Sequence, residues 1–182
     1  MNRIPERNRP IVVLAVGVLV LLIVGGGVLL VGQLGPSPTP TTSSSPSATA
    51  SPSADTSTPE GATRAFFDAF ALARRTDDAS IVAPFVTGTE SSAYRTVDAF
   101  LRGQREVGKA SITTVLRLEN LSTTTNGDRS TIVFDFTEGG YDISLDTGEA
   151  LESPEVLPTT RVTVELVLRD GRWLVDSYES QL

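Results

Sequence analysis

Along this chain the spacing of apolar residues changes three times, and each change marks a new element. From Ile11 to Val31 the apolar run is unbroken: "IVVLAVGVLVLLIVGGGVLLV" holds 21 residues without a polar side chain. A helix rises ~1.5 Å per residue, so such a run crosses the ~30 Å hydrocarbon core of a bilayer. The pattern predicts a transmembrane helix over residues 11–32, too long for the apolar region of a cleaved signal peptide. Residues 33–58 then lose all apolar periodicity. Most of that stretch, "GPSPTPTTSSSPSATASPSADTST", is Ser, Thr, Pro and Ala; it has almost nothing to bury and is predicted to be a disordered linker.

Helical spacing begins at residue 59. Thr58-Pro59-Glu60 supplies an N-cap, a proline for the first turn and an acid near the positive end of the helix dipole. Ala62, Ala65, Phe66, Ala69, Phe70 and Ala73 follow on one face, predicting a helix that stops near Arg75. "TDDASIVAPFV" reads as a short second helix that starts after Asp77 or Asp78 and ends around Pro84. A third helix is expected from Ser91 to Val107, with Tyr94, Val97, Leu101 and Gln104 on one side and Gly108 past its end.

Beyond Gly108 the period drops to two. "SITTVLRLENL" (111–121) and "STIVFDFTE" (130–138) read as strands joined around Asn126-Gly127, and "TTRVTVELVLR" (159–169) alternates cleanly. Asp170-Gly171 is a favoured two-residue hairpin turn, so a last strand bearing Trp173 closes the chain. Phasing places Ile112, Thr114, Leu116, Leu118, Asn120, Ile132, Phe134, Phe136, Thr160, Val162, Val164, Leu166, Leu168, Trp173, Val175 and Ser177 on inner faces. Asp135, Glu165, Leu174, Asp176 and Tyr178 fall on outer faces. The class is α+β: three helices, then an antiparallel meander, as one domain over residues 59–182.

Charge adds a direction. Residues 1–10 carry Arg3, Arg7 and Arg9 against Glu6, and the flank after the apolar run is uncharged. Positive-inside bias makes residues 1–10 a cytoplasmic tail, makes the apolar run a signal anchor, and puts the rest outside the cytoplasm. Residues 55–182 hold 12 basic and 21 acidic groups, a net of −9, so the domain has no electrostatic footprint for nucleic acid. Absence of Cys and His removes disulfides, thiolate chemistry, and the commonest general base and metal ligand. No cofactor, metal or catalytic residue is expected. One Lys against 14 Arg points to GC-rich coding.

The Phe66-Phe67-Asp68-Ala69-Phe70 helix, the Asp77 to Val86 stretch and the hairpin from Val162 to Glu179 together resemble the nuclear transport factor 2-like superfamily over residues 59–182. The resemblance implies a cone-shaped, cystatin-like domain whose strongly curved sheet wraps the three helices. Single-span exported members are similar to the accessory subunits of mammalian cell entry transporters and to the assembly proteins of conjugation machines. Other members are ketosteroid isomerases, polyketide cyclases and dehydratases, with Asp, His or Tyr on the concave face. Here the inner faces predicted above hold no ionisable side chain, and the Tyr94 and Asp98 pair on the third helix is the remaining acid-base candidate.

Two surfaces remain as candidate binding residues. Phe66, Phe70, Tyr94, Phe134, Phe136, Val164 and Trp173 are positioned either to line a pocket for a small apolar molecule or to fill the core. "EGGYDISLDTGEALESPEVLP" (138–158) interrupts the meander. Its Asp142, Asp146, Glu149, Glu152 and Glu155 are expected either as the acids of a solvated hairpin or loop or as a docking surface for a basic partner. The expected function is a non-catalytic, membrane-tethered extracytoplasmic accessory or scaffold module with an envelope protein partner. The alternatives are an apolar-ligand sensor and an enzyme of the isomerase or cyclase type.

Overall fold

A computed structural model describes residues 55–181. The expected cytoplasmic tail, transmembrane helix and nearly all of the linker lie outside the described residues. No helix among the described residues is long and apolar enough to cross a membrane.

The helices start and stop where the sequence supplies caps. Helix α1 (Pro59–Thr76) opens on Thr58, whose side chain accepts from the Gly61 N–H at 3.1 Å, and closes on Asp77 in the left-handed region. A 3-10 helix (Ala79–Phe85) is capped by Asp78, which accepts from the Ser80 N–H at 2.9 Å. It ends at Phe85, one residue past Pro84, as the sequence reading expected. Helix α2 (Ser92–Glu106) starts from Ser91, which accepts from the Tyr94 N–H at 3.1 Å.

The strands are β1 (Lys109–Asn126), β2 (Arg129–Ser144), β3 (Glu155–Val156), β4 (Thr160–Arg169) and β5 (Arg172–Gln181). They form one curved antiparallel sheet in the order β1-β2-β4-β5, with β3 beside β2. β4 pairs only with Arg129–Phe136 of β2, and β3 takes over at Gly139 and Gly140. So β2 does not stop at Glu138 as the sequence reading expected. Gly139-Gly140 continues the strand because a side chain there has no room: a Cβ on Gly140 would lie 2.0 Å from the Ile112 carbonyl oxygen. The meander is interrupted later, at 145–158, where only Ala150 and β3 return to pair with β2.

The sheet wraps α1 closely enough to bury more than one stripe of it. Ala62, Thr63, Ala65, Phe66, Phe67, Ala69 and Ala73 are all buried. Around them Val82, Val97, Leu101, Ile132, Phe134, Val164, Leu166 and Val175 complete a core with almost no exposure. The chain enters this domain along β5, where the Trp173 N–H donates to the Thr56 carbonyl at 2.8 Å and Arg172 Nε donates to Thr56 Oγ1 at 3.0 Å.

Bulges correct the strand phasing in three places. At Asp176 the pairing jumps from Leu166–Val175 to Glu165–Ser177, so one extra residue reverses inside and outside for the rest of β5. Tyr178 therefore turns inward, and Ser177 turns outward to donate to Glu165 at 3.3 Å. Asp176 is half-buried and accepts from Thr87 Oγ1 at 2.5 Å. In β1 a shift between Thr113 and Val115 leaves Thr114 exposed, and a second between Glu119 and Ser122 turns Asn120 outward and Leu121 toward the core. Leu168 keeps its register but is 37% exposed at the hairpin end of β4.

Candidate functional site

Inside the sheet, alternation along β2 brings Ile132, Phe134 and Phe136 onto α1, and the next residue of that face is Glu138. Helix α1 answers it with Arg74, one turn beyond Phe70. Arg74 Nη1 donates to Glu138 Oε2 at 2.5 Å, and the two side chains are 18% and 25% exposed. The Arg74 guanidinium also lies over the rings of Phe70 and Phe100, at 5.8 Å and 5.2 Å from their centroids. A charge placed this way is held by an ion pair on one side and aromatic faces on the other.

Tyr178 completes the group. Its ring centroid lies 5.5 Å from Phe66, 5.8 Å from Phe67 and 6.3 Å from Phe70. Burial pushes its phenol far above the ordinary value of 10.0; the Arg74 charge opposes this and the Glu138 charge adds to it.

Next to this group, between β2 and the returning segment, is a cavity of about 160 Å³. Glu138, Asp142, Glu152, Glu155, Arg74, Ser111 and Leu157 wall it. Each carboxylate there except Glu155 has a donor. Ser111 Oγ donates to Asp142 Oδ1 at 2.7 Å and in turn accepts from Gln104 Nε2. Lys109 Nζ stands 3.5 Å from Asp142 Oδ2, and the Asp142 N–H donates to Glu152 Oε1 at 3.2 Å. With Glu138 bonded to Arg74, the cavity is suited to accept hydrogen bonds from a cationic group. Glu155, the one cavity carboxylate without a donor, is exposed to solvent. Among the described residues no three His, Cys, Asp or Glu side chains converge as a metal site.

The aromatic set named from the sequence is distributed through the core. Phe66, Phe134 and Val164 have no exposure, Trp173 has 6%, and Phe70, Phe136 and Tyr94 are partly buried against them. The cavity walls include none of these seven. Asp142, Glu152 and Glu155 are brought together at the cavity, whereas Asp146 and Glu149 sit on the exposed turn, where the Ser144 N–H donates to the Glu149 carbonyl at 2.9 Å. Asp98 pairs with Arg102 at 3.0 Å on the open face of α2. Asp135, on the outer face, is held below the usual carboxylate range by hydrogen bonds from Asn120 at 2.7 Å and Arg161 at 2.6 Å.

Sequence reasoning did not single out Arg74, Glu138, Phe67, Phe100 and Tyr178 as site residues. Two of them had a signal. Extending the Ile132-Phe134-Phe136 alternation by one step reaches Glu138, and the Phe66-Phe70 spacing extended by four reaches Arg74. Tyr178 had none, because its facing depends on the bulge.

No protein-family model matches the chain, and no curated protein sequence matches it. Solved structures do. The intermembrane space region of the chloroplast protein ARC6 is similar with a TM-score of 0.53 at 16% identity, over 71% of this chain and 98% of that one. An NTF-2-like protein of unknown function from Shewanella oneidensis MR-1 gives 0.44 at 11% identity, over 68% and 98%. A nuclear transport factor 2-like superfamily protein from Salmonella enterica serovar Typhimurium gives 0.43 at 10%, over 64% and 84%. The likeness to the ARC6 region is of fold alone. Three helices backed by a curved antiparallel sheet are the architecture that the nuclear transport factor 2-like resemblance implies.

Proposed function

We propose that the chain is a membrane-tethered, extracytoplasmic accessory module of the cell envelope, which works by holding another protein and not by catalysis. The observation that carries this reading is the filled interior. Sites for drug-sized ligands enclose about 300–1,000 Å³, whereas the cavity here has about 160 Å³ and is walled by charged and polar groups. The partly buried interior carboxylate, Glu138, is already bonded to Arg74. Support for tethering comes from the uninterrupted apolar run Ile11–Val31 and the Ser/Thr/Pro-rich segment after it. The finer likeness, to accessory subunits of mammalian cell entry transporters or assembly proteins of conjugation machines, belongs to this reading as well.

Crosslinking of the full chain in intact host cells, followed by mass spectrometry, tests it. An adduct with an envelope protein, lost when the domain is replaced by an unrelated fold on the same anchor and linker, is the expected result. Recovery of no envelope protein above background removes the scaffold role, and a reporter fused to the C-terminus that proves active only in the cytoplasm removes the topology.

A further inference from the structure

Among the described residues the exposed large apolar side chains concentrate in one short segment. Leu145 (38%), Leu151 (50%), Val156 (57%) and Leu157 (45%) are half of the eight such residues and fall within the excursion that follows β2. Single exposed apolar residues are ordinary on a surface, and a group of them marks a contact site. Interleaved with them are Asp146, Glu149, Glu152 and Glu155, none of which has an ion-pair partner among the described residues. Within the same excursion there is no Arg or Lys to answer them.

We propose that this segment, Leu145–Leu157, docks an extended stretch of another protein that carries basic and apolar side chains together. The proposal rests on the accessory-module reading above and adds the partner's chemistry. Charge selects against the other occupants. An anionic membrane surface or nucleic acid meets four unpaired acids, and a two-fold contact with a second copy sets the same acids face to face. Pro154 and Pro158 interrupt the outer edge of the returning segment, which disfavours strand addition and leaves side chains to make the contact. The adjoining cavity of about 160 Å³ has the room of about five waters at ~30 Å³ each, enough for the head of one Arg or Lys between Glu152 and Glu155. Position agrees with this use. The chain enters the domain at Thr56 beside Trp173 on β5, at the same end of the sheet as Asp128 but two strands across from it. Gly139, where the excursion pairs, lies about 35 Å further along β2 at ~3.3 Å per residue.

A photocrosslinking amino acid at Val156 in the full chain, expressed in the host, tests the proposal, with the same probe at exposed Thr124 as control. The expected result is an adduct at Val156 whose mapped partner peptide holds at least two Arg or Lys beside Leu, Val, Ile or Phe. Glu152→Gln with Glu155→Gln should lower its yield at least five-fold while leaving the thermal midpoint within about 2 °C. Asp146→Asn with Glu149→Gln, which lie away from the cavity, should lower it less. A mapped peptide without basic residues, a lipid adduct, a second copy of this chain, or a yield that neither double variant changes overturns the proposal. A partner caught at Thr124 and never at Val156 overturns it while leaving the accessory-module reading intact; no partner from either probe overturns both.

Discussion

Truncating Tyr178 puts the β5 bulge to a quantitative test. If the strand alternated without interruption, Tyr178 would stand on the outer face and Tyr178→Ala would change stability by no more than about 0.5 kcal/mol. The bulge at Asp176 instead sets the ring among Phe66, Phe67 and Phe70 at 5.5 to 6.3 Å. Removing a buried ring of this size costs about 3–5 kcal/mol, within which each lost aromatic pair accounts for ~0.5–1.5. For a domain of this size that is a fall of roughly 10 to 20 °C in Tm. Urea unfolding followed by fluorescence reads it directly, because Trp173 is the only tryptophan. Tyr178→Phe keeps the ring and should stay within about 1 kcal/mol of the parent. The same residue makes a pH prediction. Its phenol is neutral when protonated and its folded pKa is raised above the unfolded value near 10, so between those two values only the unfolded chain loses the proton. This contribution to stability is whole below pH 10 and falls above it by about 1.4 kcal/mol per pH unit. Tyr178→Phe should be flatter by that slope. A loss below 0.5 kcal/mol in Tyr178→Ala would refute the inward placement.

Three further outcomes follow from the geometry. Gly140→Ala drives a Cβ to 2.0 Å from the Ile112 carbonyl oxygen and should cost about 3 kcal/mol or more in urea unfolding, with the loss of amide protection greatest where β1 and β2 pair. Gly171→Ala strains a φ of 76° in the β4–β5 turn and should cost only about 1 kcal/mol by the same assay. Arg74→Met and Glu138→Gln should each cost about 2 kcal/mol, below the ~3–5 of a fully buried pair because both side chains keep some solvent. The double variant should cost less than the sum, and simple additivity in the cycle would show that the pair is uncoupled.

Most of the fold was legible because local signals agreed with one another. The cap at Thr58, the helical spacing of Ala62 to Ala73, and Asp170-Gly171 between alternating runs each fixed an element to within a residue or two. The misreadings share a physical origin. Alternation assumes one residue on each strand per step, and a bulge adds one without leaving a compositional mark, so strict alternation misplaces Thr114, Asn120, Ser177 and Tyr178. Gly139-Gly140 looked like a break, yet it is the close approach of β1 and β3 to β2 that requires two residues without side chains there. Of the candidate site, the acids were visible as a run without a base. That Arg74 crosses from α1 to meet Glu138 was not, because a pair 64 residues apart is set by tertiary packing.

The strap at Thr56 gives the domain a mechanical property. Tension arriving along the N-terminal segment reaches Thr56 before it reaches Pro59, and there it meets hydrogen bonds to Trp173 and Arg172. The load passes into β5, which is bonded to β4 along nearly its whole length, and the first turn of α1 is spared. A pull from that side therefore loads the β4–β5 hairpin before it loads the helix on which the aromatic core is built.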